Sequence, residues 1–166
     1  MTPAKPTRRS AGLLLFRRAP GSTGIEVLIA HTGGPFWAKK DTAAWSIPKG
    51  EYEADEPALD AARREFTEEL GLPVPDGEFI DLGDVTQKNG KIVTAWALEA
   101  DLDPAAVVPG TFSMELPRGS GRFVEVPEVD RVAWFTPEQA GPRLFAGQSE
   151  FLDRLLDRVS AGPGAS

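Results

Sequence analysis

Residues Trp45 to Leu72 read WSIPKGEYEADEPALDAARREFTEELGL. The stretch parses as the end of a buried strand (Trp45, Ile47), a turn at Pro48-Lys49-Gly50, an acidic loop and one helix. Asp55 is placed to cap that helix, and Pro57 suits its first turn, where a missing N–H costs little. Gly71 is the expected stop, because glycine accepts the left-handed conformation that follows a helix C-terminus. At about 100° per residue, Leu59, Ala62, Phe66 and Leu70 share one apolar face. Glu65, Glu68 and Glu69 crowd an arc of roughly 100° on another.

That acidic arc is unfavourable twice over. Like charges three and four residues apart cost about 0.2–0.5 kcal/mol per pair. Near the negative end of the helix dipole each acid loses about 0.3–1 kcal/mol more. A helix selected for stability alone carries lysines there. A bound cation reverses both penalties, which makes the arc a candidate cation site.

On the N-terminal side, Ser10–Arg18 and Ile25–His31 read as two strands joined by a Pro/Gly/Ser turn, hence a hairpin. The glycine-rich loop Thr32–Thr42 follows, carrying Phe36, Trp37, Lys39 and Lys40, and Ala43–Ile47 reads as a short strand. On the C-terminal side, Phe79–Gln87 and Lys91–Glu99 flank Lys88-Asn89-Gly90, a hairpin signal. Asp101–Gly121 is irregular and reads as a surface excursion with a short strand near Thr111–Leu116. Val129–Phe135 alternates as a final strand, Thr136 caps a short helix, and Gln148–Val159 is amphipathic. Trp96 and Trp134 alternate into the core. Residues 1–9 and 160–166 are expected to be flexible, with a single domain over 10–159.

With 166 residues, 41% of them hydrophobic, the chain suffices for one domain with its own core. A net charge of −7 argues against general binding to nucleic-acid polymers or anionic membranes. The absence of cysteine removes disulfides and thiolate metal sites and suits a cytoplasmic location. Leu13–Phe16 is too short to span a membrane, and no signal-peptide pattern follows it. The sequence is compatible with a homodimer.

The opening stretch also fits a longer pattern: Gly50, five residues, Glu56, seven residues, Arg64-Glu65-Phe66, one residue, Glu68-Glu69, one residue, Gly71-Leu72. This resembles the signature of the Nudix hydrolases. The resemblance implies an α/β fold, an α/β/α sandwich around a mixed β-sheet. It also implies hydrolysis of a diphosphate linkage in a nucleotide with Mg²⁺, for which Mn²⁺ is a possible substitute. The physical logic is independent of the family. A diphosphate repels an attacking hydroxide, so the site must supply cations, and magnesium prefers oxygen ligands.

By the resemblance, Glu65 and Glu69 are metal ligands, Glu68 is ligand or general base, and Gly50 offers its carbonyl. Arg64 holds Glu65 or Glu56, and Glu56 and Gly71 are structural. A further carboxylate is expected from outside the motif. Glu128 stands six residues before Trp134, with Glu125 as the alternative. Lys49, Lys39 and Trp37 are candidate substrate contacts. Phe36 and Trp37 can either stack a base or plug the loop onto the core, and His31 reads as structural.

The Pro-Lys-Gly approach to the motif is similar to enzymes acting on dinucleoside polyphosphates, such as diadenosine tetraphosphate, or nucleoside triphosphates. The lack of a downstream tyrosine weakens the first match. The alternatives are a nucleotide-sugar or oxidised-nucleotide pyrophosphatase, or a non-catalytic nucleotide sensor.

Overall fold

Alternating apolar residues at the start of the chain build the centre of a sheet. The computed structural model describes residues 8–19 and 24–160. Strands β1 (Arg9–Arg18) and β2 (Ile25–Thr32) pair antiparallel, but only where Phe16–Arg18 meets Ile25–Val27. Beyond that point they splay, and the chain from Trp45 to Glu51 fills the wedge. There β3 (Trp45–Ser46) pairs with β2 and β4 (Lys49–Glu51) pairs with β1. Strand β5 (Phe79–Thr86) pairs antiparallel with β6 (Ile92–Glu99), and β6 runs parallel to β1. The sheet is therefore mixed. Strand β9 (Val129–Phe135) pairs with β2, while β7 (Thr111–Glu115) and β8 (Phe123–Pro127) form a separate two-stranded hairpin.

Both faces of the sheet are covered, as the period-two alternation of side chains requires of a strand buried on both sides. Leu13 and Leu15 pack with Ala61, Ala62, Phe66 and Leu70 of helix α1 (Ala58–Leu70). Leu14 and Phe16 pack on the opposite side with Phe151, Leu152 and Leu155 of helix α3 (Ser149–Ser160). The short helix α2 (Pro137–Ala140) lies on that second side too, through Ala140. The result is an α/β/α sandwich. Trp96 and Trp134 pack half-buried in the α1 layer. No described helix is long and apolar enough to cross a membrane.

The structure departs from the sequence expectations at several points. Helix α1 begins at Ala58, and Pro57 is the flanking residue, at φ −59° and ψ 137°, with no side-chain cap. Asp55 does not cap the helix. Proline biases its predecessor towards extended backbone, which carries Asp55 out of reach of the first turn. Leu59 is half-buried, and Ala61 joins the buried face. Lys49-Gly50, expected as a turn, belongs to strand β4 because β1 offers it a partner. The strand within Ala43–Ile47 shortens to two residues. The excursion contains the expected strand, and its partner β8 was not foreseen. The expected flexible ends at 1–9 and 160–166 lie mostly outside the described residues; Arg9 already opens β1, and Ser160 closes α3.

Candidate active site

The site forms where the wedge strand β4 faces the carboxylate side of α1. Gly50 lies so close to α1 that a Cβ there would overlap the Glu65 carboxylate. Any larger residue there would have to push that carboxylate aside. One residue earlier, the Lys49 backbone N–H donates to Glu69 Oε2 at 3.1 Å. The helix stops at Gly71, which adopts the left-handed conformation (φ 68°) and donates its N–H to Thr67.

Arg64 organises the acids. Its Nε and Nη2 donate to the two carboxylate oxygens of Glu56, each at 2.9 Å, a bidentate clamp of the acidic loop onto the helix. Its Nη1 donates to Glu65 Oε1 at 2.7 Å and to Glu68 Oε2 at 3.2 Å. The two alternatives for Arg64, Glu56 or Glu65, are thus both realised. The clamp holds the Glu56 carboxyl below the usual range.

Glu65, Glu69, Glu128, Gly50 and Lys49 line one cavity of about 440 Å³, together with Thr32, Gly33, Gly34, Phe36, Trp37, Glu51, Phe112 and Met114. A second cavity of about 180 Å³ adjoins it and shares Thr32, Lys49, Glu69 and Glu128. Burial pushes the Glu69 carboxyl up to about 8, with Glu128 and Glu65 adding to the rise against the pull of Lys49. Burial also raises Glu65 and Glu128, and each feels the charge of Glu68. The same burial lowers the Lys49 ammonium, which the nearby Glu69 partly restores.

Three carboxylates, Glu65, Glu69 and Glu128, therefore share a partly dehydrated space, with Glu68 exposed beside them. Their all-oxygen donor set is what a hard divalent cation prefers. The fit lies in that chemistry and charge. Among the described residues no three such side chains already stand as a metal cage, because Arg64 holds Glu65 and Glu68 while Lys49 holds Glu69.

Other candidates are placed as follows. Glu68 is exposed at the rim of the arc. Glu125 lies on the outer side of the β7–β8 hairpin, where it accepts from the Thr111 hydroxyl at 2.8 Å, and it does not line the cavity. Lys39 is exposed and does not line it either. Trp37 does two things: it lines the cavity and packs edge-on against Phe145 at 5.3 Å. Phe36 remains 64% exposed, with the Lys40 ammonium 3.6 Å from its ring centre. His31 is fully buried between Asp130, 2.9 Å from Nδ1, and the Lys40 carbonyl, 2.5 Å from Nε2, so it ties the Phe36 loop to β9. Phe112 and Met114 were missed. Their signal was the alternation Phe112, Met114 and then Val124, Val126 around Gly119-Ser120-Gly121.

A family model described as NUDIX domain matches residues 6–155. The chain belongs to the Nudix family. It is a Nudix hydrolase, with the mixed-sheet sandwich of its structural neighbours. Among solved structures it is similar to a Caenorhabditis elegans Ap4A hydrolase binary complex, with TM-score 0.64, 19% identity and coverage of 92% of this chain and 99% of that one. It is also similar to the NUDIX domain of Shewanella oneidensis NrtR complexed with ADP ribose, with TM-score 0.62, 14% identity, and 94% and 90% coverage. A third is RenU, a Nudix hydrolase from M. smegmatis, with TM-score 0.57, 24% identity, and 93% and 86% coverage. No curated protein matches the chain.

Proposed function

We propose that this Nudix hydrolase is a Mg²⁺-dependent pyrophosphohydrolase cleaving a diphosphate linkage in a soluble nucleotide, either a dinucleoside polyphosphate such as diadenosine tetraphosphate or a nucleoside triphosphate. The observation that carries this reading is the convergence of Glu65, Glu69 and Glu128 on one cavity that also holds Lys49 and aromatic rings, with Glu68 beside it on α1. The fold likeness to an Ap4A hydrolase is compatible with it.

Glu65, Glu69 and Glu128, with the Gly50 carbonyl and Glu68, would hold the cation. When bound, Mg²⁺ neutralises the diphosphate and lowers the pKa of a coordinated water, and Mn²⁺ can substitute. Arg64 keeps Glu65 oriented through the bond at 2.7 Å. Glu68, the most exposed of the arc, serves either as that further ligand or, released from its 3.2 Å bond with Arg64, as the base that accepts a proton from the attacking water. Lys49 faces the phosphates from β4. The absence of cysteine suits work in a reducing, cytoplasmic setting.

The test is chromatographic detection of the cleavage products (nucleotides, phosphomonoesters, pyrophosphate or phosphate) from a panel of dinucleoside polyphosphates, nucleoside triphosphates, ADP-ribose and oxidised nucleotides, with and without Mg²⁺. Mg²⁺-dependent turnover of the first two classes is expected. Ligand binding without turnover on any member would overturn the reading in favour of a sensor.

A further inference from the structure

The larger cavity is chemically divided. Its carboxylate end is the part shared with the smaller cavity, through Thr32, Lys49, Glu69 and Glu128. Phe36, Trp37, Phe112 and Met114 line only the larger cavity and give it an apolar end, although Glu51 and Glu65 also line that cavity alone.

Two segments far apart in sequence supply that apolar end. One is the glycine-rich loop with Phe36 and Trp37. The other is the β7–β8 hairpin, in which Phe112 pairs with Val126 and Met114 with Val124. Directly paired residues share a face, so these four side chains form an apolar surface. Thr111, Ser113 and Glu115 share the opposite face with Phe123, Glu125 and Pro127. The apolar face meets the loop at Gly34, where a Cβ would lie 3.6 Å from Val126 Cγ1.

The base of the hairpin is fixed to the carboxylates by backbone bonds. Glu128 N–H donates to the Gly110 carbonyl at 2.8 Å, and Gly33 N–H to the Glu128 carbonyl at 3.0 Å. Val108 N–H donates to the Leu70 carbonyl at the end of α1, at 2.8 Å. The distance from the rings to the acids is therefore set by the fold. Phe112 stays 39% exposed, so part of this residue remains accessible at the cavity.

The apolar wall itself, Phe36, Trp37, Phe112 and Met114, carries no amide, guanidinium, carboxylate or hydroxyl that reads a base edge. Bidentate amides and guanidinium groups distinguish one nucleobase from another, and among the described lining residues there is no Asn, Gln or Arg. Thr32 carries the one neutral hydroxyl there. Aromatic rings, by contrast, stack on the face that every base presents.

We propose that the β7–β8 hairpin is a base-stacking arm, and that the site accepts nucleotides through the rings of Phe112 and Phe36 without discriminating among nucleobases. The inference rests on the nucleotide reading above. Selectivity then falls on the phosphate chain, at the carboxylate end.

The test is calorimetric binding of bis-methylene analogues of ATP, GTP, CTP and UTP with Mg²⁺, with turnover measured separately. The four dissociation constants should agree within about tenfold. Phe112→Ala and Phe36→Ala should each weaken all four together, on the order of tenfold. Phe123→Ala, on the outer face of the same hairpin, should change none of them, which separates stacking from hairpin stability. A preference above about 100-fold for one base, a Phe112→Ala protein that binds like Phe123→Ala, or no binding of any analogue overturns the proposal. If the stacking pattern holds while turnover is absent on every substrate, the hydrolase reading fails and the arm stands.

Discussion

Glu69 concentrates the chemistry of the site in one side chain. Its raised value means that the native state keeps a proton which the unfolded chain gives up near 4.5. The stability this provides is complete below about 4.5 and is lost as pH rises towards about 8. Thermal denaturation of metal-free protein should show the melting temperature falling across that window, and Glu69→Gln should flatten the fall. An unchanged slope in the variant would assign the effect to other groups. In turnover assays, Glu69→Gln and Glu68→Gln should each lower kcat by at least about 10²-fold, and near-wild-type rates in both would remove their assigned roles. Glu128→Gln should shift the Mg²⁺ titration more mildly. Glu128 could be picked out by its distance from Trp134 in sequence, but choosing it over Glu125 could not. That choice depends on hairpin parity, because Glu125 shares a face with Thr111 and turns outward.

At the scale of elements, α1 was legible because its determinants are local: an apolar stripe, a glycine stop and a run of acids. Strand β4 was not. Lys49-Gly50-Glu51 has no apolar alternation, and it becomes a strand only because β1 and β2 splay and leave it a partner. Its closeness to α1 gives a sharp expectation. Gly50→Ala should displace Glu65, weaken Mg²⁺ binding and lower activity while the circular dichroism spectrum stays native; an unaltered titration would contradict the packing. The segment before β4 depends on Gln148, a fully buried amide just ahead of α3. It accepts from Ile47 N–H and donates to the Ser46 hydroxyl, both at 3.0 Å. Gln148→Leu leaves the Ile47 N–H unpaired and the Ser46 hydroxyl with only its bond to the Ile47 carbonyl (2.7 Å), so chemical denaturation should register a loss of about 1–3 kcal/mol.

For the whole molecule, a cation and protons compete for the same carboxylates. Mg²⁺ should therefore raise the melting temperature more at pH 8 than at pH 5.5, by the linkage between ligand binding and folding; an equal rise at both would place the ion elsewhere. The layered architecture was legible from the alternation in β1, which sends Leu13 and Leu15 to one side and Leu14 and Phe16 to the other. The pairing of β1 with β6 was not, since no local signal ties residues so distant. That parallel pairing, Arg9 beside Ile92, also bears on how the chain folds. The acids of α1 sit inside a loop of roughly eighty residues that must close before the central sheet exists, and closure entropy grows with loop length. During synthesis the signature stretch leaves the ribosome well before the strand that completes its platform. It leaves together with β1, β2 and β4, against which α1 packs, but the site is complete only once β6 and the later segment carrying Glu128 have docked.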